Sequence, residues 1–371
     1  MNSSERYRLE ASGITVEVDL GIGHLTLIEI ERDGRKTAPF HRAPWADDAV
    51  PPAGVEDAPH LARISGDFFC APFGSADVEP APSHGWPANA AWRAVDSRPV
   101  AGGGTTATFV LEKPVMGARV RKELTLRDGH PFLYQRHVFE GGSGGLSAAN
   151  HAMVRLPHGA RISYSPKRWA ETPASPLEGD PARGRSILAY PGRATDLTRY
   201  PRGDGGTVDL TSYPIDQGHE DFAMLVEAAD SPLGWSAVMR PDEGDMALML
   251  KNPAKLPVTM LWYSNGGRLY APWNGRHRHV LGVEDGCTWS LYGHAASIAA
   301  NPLTDIGIPT AIRLDPDGSV DVRHVIGAAP TPSNWTTVRD VLAGDRILTV
   351  TDAGGAVLAL PFDDRFLSAA A

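Results

Sequence analysis

A carboxylate that follows aromatic and basic side chains marks residues 269–287, LYAPWNGRHRHVLGVEDGC. The apolar run at 280–283 favours a buried strand that ends on Glu284 and Asp285, before Gly286. A carboxylate desolvated beside cations has its pKa and basicity set by those neighbours. Because aromatic rings cover the apolar face of a sugar while carboxylates bind its hydroxyls, this stretch indicates a carbohydrate site. The alternative is an ordinary strand ending in a solvated Glu-Asp turn.

Two histidines stand in settings that could hold them for the same chemistry. His84 lies in a Pro-rich loop as His84-Gly85-Trp86, where proline stiffens the chain and glycine allows close backbone approach. His151 lies among small and apolar residues, and burying an imidazole there requires a partner. Either histidine could instead be structural.

Metal binding is the competing chemistry. His277 and His279 would face the same side of a strand, as some transition-metal sites require. No third ligand is evident, and the sequence contains neither a CxxC pair nor a glycine-rich phosphate loop. We therefore expect no metal and no cofactor.

The elements that would position these residues are strands. Strict alternation at 14–20 and the runs at 24–31, 105–112, 119–126 and 132–139 predict antiparallel hairpins and a meander. Further strands are expected at 320–328 and 347–360, and no long amphipathic helix is evident. Residues 157–218, rich in Pro, Gly, Arg and Asp, predict long irregular loops over one face. The sequence thus predicts one all-β, sandwich-like domain over 1–371 with a loop-rich insertion at about 157–218.

Composition limits the partners. The 371 residues carry a formal net charge of −9, so nucleic acid and anionic membranes are not expected partners. The first residues, MNSSERYRLEASG, lack a signal-peptide pattern, and no stretch is long and apolar enough to span a bilayer. We expect a cytoplasmic monomer or homodimer that binds a small-molecule carbohydrate.

Three separated fragments occur in the order found in the aldose 1-epimerase (galactose mutarotase-like) superfamily. Residues 70–74, CAPFG, followed by His84-Gly85-Trp86, resemble the family's stretch that leads into its His-Gly loop. Asn150-His151 resembles the second family histidine, and Val283-Glu284 the late strand with the catalytic glutamate. Asp221-Phe222 is a looser match. The resemblance spans about 64–290 and implies a large antiparallel β-supersandwich.

That resemblance implies an isomerase that interconverts the anomers of a free or modified monosaccharide by opening its ring. It assigns Glu284 as the base for the anomeric hydroxyl and His151 as the acid for the ring oxygen, with His84 binding the ring or a neighbouring hydroxyl. Asp221 would bind sugar hydroxyls. Relatives that act on phosphorylated hexoses tend to carry one arginine just before the Pro-aromatic-Gly stretch and another after His-Gly. Neither arginine is present in this sequence, which disfavours a sugar phosphate.

Other side chains are expected to complete the site or to belong to the core. The aromatic platform would come from Trp86, Trp262, Tyr270 and Trp273, and Arg276 or Arg278 could contact an acidic substituent. Two other functions fit the same scaffold: a non-catalytic sugar-binding or sugar-sensing protein, and a polysaccharide lyase or hydrolase. A lyase or hydrolase would need an elongated cleft and a tyrosine or second carboxylate near Glu284.

Overall fold

The computed structural model describes residues 5–48 and 50–368. Strand is the main regular structure of the described chain, and the fold is built from antiparallel sheets, as predicted. The strands are, in chain order, β1 Arg6–Ala11, β2 Ile14–Asp19, β3 Leu25–Arg32, β4 Arg35–Thr37, β5 Phe69–Cys70, β6 Trp92–Pro99, β7 Gly104–Leu111, β8 Arg119–Arg127, β9 Phe132–Glu140, β10 Gly145–Leu146, β11 Ala148–Arg155, β12 Ala160–Tyr164, β13 Lys167–Glu171, β14 Arg193–Ala194, β15 Tyr200–Pro201, β16 Thr207–Val208, β17 Ser212–Tyr213, β18 His219–Glu227, β19 Gly234–Arg240, β20 Asp245–Lys251, β21 Val258–Asn265, β22 Val280–Cys287, β23 Ile312–Arg313, β24 Ser319–Pro330, β25 Val338–Gly344, β26 Ile347–Asp352 and β27 Val357–Pro361.

Helical structure is short and lies in the connections. The α-helix α1 is His294–Ile298, and the 3₁₀ turns are Pro59–Arg63, Trp86–Ala88, Leu197–Arg199 and Thr304–Ile306. Among the described residues, no helix is long and apolar enough to cross a membrane.

Two large sheets pack face to face. One has seven strands in the order β14-β13-β18-β21-β22-β11-β5, and the other has nine in the order β17-β12-β19-β20-β24-β9-β8-β7-β6. The core between them takes alternate residues from each strand, for example Leu281 and Val283 of β22. The residues that alternate with these along the strand, such as Val280 and Glu284, point to the opposite face of the seven-stranded sheet. This outer face carries the candidate site described below.

Smaller sheets complete the described architecture: one of four strands, one of three, and the two-stranded pairs β10-β23 and β15-β16. The hairpins at the start of the chain form the four-stranded sheet β1-β2-β3-β4, whose apolar residues join the same core. The three-stranded sheet β25-β26-β27 covers the outer face of the nine-stranded sheet with a separate apolar cluster, which includes Val341, Val350 and Leu360. The meander β7-β8-β9 and its turn at Asp128-Gly129 lie where the sequence predicts them.

The structure differs from the prediction of irregular loops across 157–218. Strands β12 and β13 lie inside this segment, and they join the nine-stranded and seven-stranded sheets respectively. Strand β12, ARISY, alternates apolar and polar residues, but over only five positions. Strand β13, KRWAE, does not alternate, because four of its five residues are only half-buried. The rest of the segment consists of short strands, one 3₁₀ turn and loops.

A network of buried charges crosses the space between the large sheets. Lys251 Nζ lies 2.9 Å from Glu227 Oε1 and 2.9 Å from Asp285 Oδ1. Lys167 Nζ contacts the same Glu227 oxygen at 2.6 Å, and His324 Nε2 lies 2.9 Å from Asp285 Oδ2. Lys251 lowers the pKa of both carboxyl groups against the opposing effect of burial, so both act as anions. The network therefore fixes strands β18, β20 and β22 to one another.

Candidate functional site

A histidine and a glutamate from neighbouring strands form the centre of the site. His151 of β11 is paired in register with Glu284 of β22. The His151 Nε2 and Glu284 Oε1 atoms lie 3.2 Å apart, and both side chains are buried. The His151 backbone N–H donates to the Phe68 carbonyl at 2.8 Å, which ties β11 to the preceding loop. The two residues that the sequence assigns as acid and base are thus in direct contact.

This pair forms part of the wall of a small cavity of about 170 Å³. The volume is below the roughly 300–1,000 Å³ typical of sites for drug-sized ligands, and it corresponds to about five or six water molecules. The lining residues are Ala58, His60, Leu61, Ile64, Ser83, His84, His151, Leu177, Phe222, Trp262, Arg268, Trp273, Glu284 and Leu291. Size and lining suit one sugar ring.

Aromatic rings hold the pair in place. The Phe68 ring stacks on His151 at a centroid distance of 4.4 Å, and Trp262 meets the same imidazole edge-on at 5.6 Å. Trp273 packs edge-to-face against Trp262 at 5.8 Å, and both tryptophans reach the cavity wall. Two of the four aromatic residues proposed as a platform, Trp262 and Trp273, are therefore placed at the cavity.

His84 reaches the cavity because its loop adopts an unusual backbone conformation. His84 and Gly85 have φ angles of 65° and 72°. The His84 backbone N–H donates to the Gly74 carbonyl at 2.8 Å, and the Gly74 N–H approaches His84 Nδ1 at 3.4 Å. With Nδ1 accepting that contact, the neutral ring carries its proton on Nε2, where it is a hydrogen-bond donor.

Replacing Gly85 with alanine is expected to displace His84. An added Cβ would lie 2.0 Å from the Ala71 carbonyl oxygen. The backbone angles of Gly85, φ 72° and ψ 177°, are also essentially restricted to glycine and cost about 1–3 kcal/mol for another residue. Gly102→Ala is the matched control, because Gly102 has a similar φ of 88° but open space around it. In urea unfolding, Gly85→Ala should lose more stability than Gly102→Ala; equal losses would show that the Ala71 contact is relieved without cost.

A third histidine at the cavity, His60, was not identified from the sequence. It lies in the 3₁₀ turn Pro59–Arg63, and its ring meets His84 edge-on at 5.1 Å. Asn89 Oδ1 accepts from the His60 backbone N–H at 2.8 Å and lies 3.2 Å from its Nδ1, so Nδ1 carries the proton and Nε2 is an acceptor. The segment 37–60 is rich in Pro, Ala and Asp, a composition that predicts a surface loop and not a site. The position of His60 at the cavity becomes evident only from its contact with Asn89 in the folded chain.

Burial favours the neutral forms of these groups. It lowers the pKa of His151 to about 3 and that of His60 to about 4, and it lowers the pKa of His84 as well. Burial raises the pKa of Glu284 well above its ordinary value, while the Arg268 cation opposes this shift. The Glu284–His151 pair therefore holds a single proton over a wide pH range.

Arg268 is the second cavity residue that the sequence did not single out. Its guanidinium lies 4.4 Å from the Trp273 ring centroid and 5.8 Å from that of Trp262. Arg268 Nη2 is 3.5 Å from Glu220 Oε1, and Glu220 accepts hydrogen bonds from Trp262 Nε1 and from Ser264 Oγ. In the sequence, Arg268 comes directly after Gly266-Gly267, which follow the aromatic strand β21. A cation at that position is the signal that could have identified Arg268 as a site residue.

Asp221, predicted to bind sugar hydroxyls, lies elsewhere. Its neighbour Phe222 lines the cavity, so Asp221 points to the other face of β18 because successive residues of a strand alternate. Its carboxylate accepts from the backbone N–H groups of Ile187 and Leu188 at 3.0–3.1 Å and lies 2.7 Å from His219 Nδ1. The structure thus places Asp221 as an anchor for the loop around residue 187.

Three other predicted binding residues are outside the cavity. Trp86 packs against the main core with Lys113 over its ring at 5.4 Å. Tyr270 is covered by Arg183 at 4.1 Å. Arg276 is exposed, with its Nη2 atom 4.0 Å from Asp48 Oδ2. None of the three is among the residues that line the cavity.

His277 and His279 do not form a pair of metal ligands. Both residues lie in the loop that precedes β22 and not on a strand, so the expectation that their side chains face the same side does not hold. His277 is buried, stacked on Trp262 at 5.1 Å, and its Nδ1 lies 2.7 Å from Ser264 Oγ. His279 is exposed. Within residues 5–48 and 50–368, no group of three or more His, Cys, Asp or Glu side chains could hold a metal ion.

No family model matches the sequence, and no curated protein matches it. Solved structures do match. A candidate aldose 1-epimerase from Escherichia coli K12 is 13% identical with a TM-score of 0.56, over 88% of this chain and 99% of that one. A candidate aldose 1-epimerase from Klebsiella pneumoniae is 16% identical with a TM-score of 0.53, over 86% and 78%. A galactose mutarotase related enzyme from Lactobacillus acidophilus is 9% identical with a TM-score of 0.50, over 88% and 98%. The structural likeness agrees with the resemblance drawn from the sequence, and the chain has the galactose mutarotase-like fold.

Proposed function

We propose that this protein is an aldose 1-epimerase-like isomerase, which interconverts the anomers of a monosaccharide by acid–base opening of its ring. The observation that carries the proposal is the contact of 3.2 Å between His151 Nε2 and Glu284 Oε1 in the wall of a sugar-sized cavity. The fold shared with the candidate aldose 1-epimerases is consistent with it.

The chemistry needs one group that removes a proton and one that supplies a proton. The reactive form of the Glu284–His151 pair carries its single proton on His151. Glu284 then takes the proton of the anomeric hydroxyl, and His151 gives its proton to the ring oxygen as the C1–O5 bond breaks. The resulting aldehyde rotates about C1–C2, and the reverse transfers close the ring on the other face. Both oxygens are bonded to the same carbon, so an acid and a base that touch each other can serve both.

The remaining polar groups suit the sugar hydroxyls. His84 offers a hydrogen-bond donor at Nε2, and His60 offers an acceptor at Nε2. The two rings meet edge-on, with their centroids 5.1 Å apart. Trp262 and Trp273 supply apolar surface for the ring face. Of the described residues that line the cavity, Glu284 is the one carboxylate and none is a tyrosine, which disfavours the lyase or hydrolase alternative.

Exchange NMR of anomeric protons tests this function directly. We expect the protein to accelerate α/β interconversion for at least one sugar in a panel of neutral aldoses and uronic acids. Methyl glycosides are the control, because they lack the free anomeric hydroxyl and cannot interconvert by this route. Binding of sugars by the folded protein without any acceleration would instead support the sugar-binding alternative.

The pH dependence should follow the single proton shared by Glu284 and His151. The pair gains a second proton only near the lowered pKa of His151, at about 3, and loses its last proton as pH rises through the raised pKa of Glu284. We therefore expect kcat/KM to stay level through mildly acidic pH and to fall on the alkaline side. A loss of activity centred near pH 6.5 on acidification would contradict this, since it would indicate an ordinary solvated imidazole.

A further inference from the structure

The chain around Arg268 is held rigidly at the cavity. The Leu269 N–H donates to the Arg183 carbonyl at 2.8 Å, and the Arg268 carbonyl accepts from the Gly275 N–H at 2.7 Å. At the preceding Gly267, an added Cβ would lie 2.1 Å from the His219 carbonyl carbon, so the backbone is pressed against β18. Arg268 is therefore delivered to the cavity by a fixed backbone.

The Arg268 side chain has unused hydrogen-bonding capacity. A guanidinium carries five N–H donors in a planar fork. In the described part of the chain, no hydrogen bond joins the Arg268 side chain to another residue, and its Nε is buried without a partner. Its nearest carboxylate oxygen, Glu220 Oε1, is 3.5 Å away and already accepts from Trp262 Nε1. A half-buried cation with an unpartnered, buried Nε is costly unless a ligand supplies acceptors for its guanidinium.

The surroundings favour an anion as that ligand. The histidines that face Arg268 across the cavity are neutral because burial lowers their pKa values. Burial raises the pKa values of the Glu220 and Glu284 carboxyl groups, and the Arg268 cation opposes both shifts. Among the described residues that line the cavity, Arg268 is the one with a permanent positive charge.

We propose that Arg268 binds the carboxylate of an acidic monosaccharide, a uronate, and so selects the substrate of the reaction proposed above. This inference rests on that proposed function. The planar fork of a guanidinium matches a carboxylate with two parallel hydrogen bonds, while Trp273 covers its face at 4.4 Å. A sugar phosphate carries up to two charges, and one cation in a cavity of about 170 Å³ suits the singly charged group better.

Binding measured without turnover tests the inference. Isothermal titration calorimetry would compare galacturonate with galactose and glucuronate with glucose, and would include galactose 6-phosphate. The wild type should bind a uronate about ten- to a hundred-fold more tightly than its neutral counterpart, as expected for a charge-assisted pair. Arg268→Gln should remove this preference, because its affinity for the uronate falls far more than its affinity for the neutral sugar.

Three further variants keep the result interpretable. Arg276→Gln is the matched control, because that exposed arginine lies outside the cavity, and it should retain the preference. Arg268→Lys keeps the charge without the fork and should retain only part of the preference. If loss of the cation leaves Glu220 unpaired and unfolds the protein, Arg268→Gln with Glu220→Gln removes both charges together.

Each outcome decides the inference. Equal affinity for neutral and acidic sugars, tighter binding of the phosphate, or an equal loss for both sugars in Arg268→Gln overturns it. Absence of uronate binding by the folded wild type also overturns it. Arg268-dependent uronate binding without accelerated anomer exchange supports this inference and removes the proposed isomerase. Exchange of neutral sugars alone supports the isomerase and removes the uronate.

Discussion

Glu284→Gln is expected to reduce catalysed anomer interconversion by at least about 100-fold, and by as much as about 10,000-fold, because glutamine cannot accept the anomeric proton. Glutamine keeps the size of the side chain and removes the charge. The folded protein should lose no stability at neutral pH. Burial raises the pKa of Glu284, so above the ordinary glutamate pKa of about 4.3 the folded state is penalised relative to the unfolded chain, and the amide removes this penalty.

Exchange NMR and urea unfolding at pH 7 and above would measure both effects on the same samples. Glu31→Gln is the control, since that side chain is 58% exposed and remote from the cavity. It should leave activity and the free energy of unfolding within experimental scatter. A Glu284→Gln protein that keeps its activity would eliminate Glu284 as the base. One that unfolds more easily would show that the ionised carboxylate stabilises the fold.

Lys251→Met is expected to lower the free energy of unfolding by about 3–5 kcal/mol. The lysine bridges Glu227 and Asp285 at 2.9 Å each, and it also donates to the Val258 carbonyl and Thr259 Oγ1 at 2.6 Å. Its removal leaves two buried carboxylates short of a cation, whereas methionine fills a similar volume. Urea unfolding followed by tryptophan fluorescence would measure the loss.

The comparison with Lys255→Met isolates the network. Lys255 is exposed in the connection that follows β20, so its replacement should change the free energy of unfolding by less than about 0.5 kcal/mol. If Lys251→Met and Lys255→Met lower the free energy of unfolding equally, Lys167 and His324 are sufficient to pair the two buried carboxylates. The network would then contribute little beyond local packing.

The sequence identified the central pair because each member has a local signal. His151 stands in a run of small residues, and Glu284 follows an apolar run that is β22 in the structure. The position within β22 differs from the prediction, which had the strand end on Glu284 and Asp285. The strand continues to Cys287, so Glu284 lies inside it and Asp285 points into the core.

Sequence reasoning missed residues whose position depends on which face of a strand they occupy or on contacts between distant segments. Asp221 and Phe222 are adjacent in the chain, and only the packing of β18 shows that Phe222 faces the cavity. Arg268 and His60 come from loops whose composition carries no periodic signal, and both are placed by hydrogen bonds to distant segments. Such contacts become visible only when the chain has folded.

The pairing of β11 with β22 also has a kinetic consequence. These strands, Ala148–Arg155 and Val280–Cys287, are neighbours in the sheet but are separated along the chain by all the strands from β12 to β21. Contacts between such distant segments close large loops and form slowly. During synthesis His151 emerges well before Glu284, so most of the chain must leave the ribosome before the two side chains can meet. In refolding experiments, activity should return no earlier than the long-range sheet does.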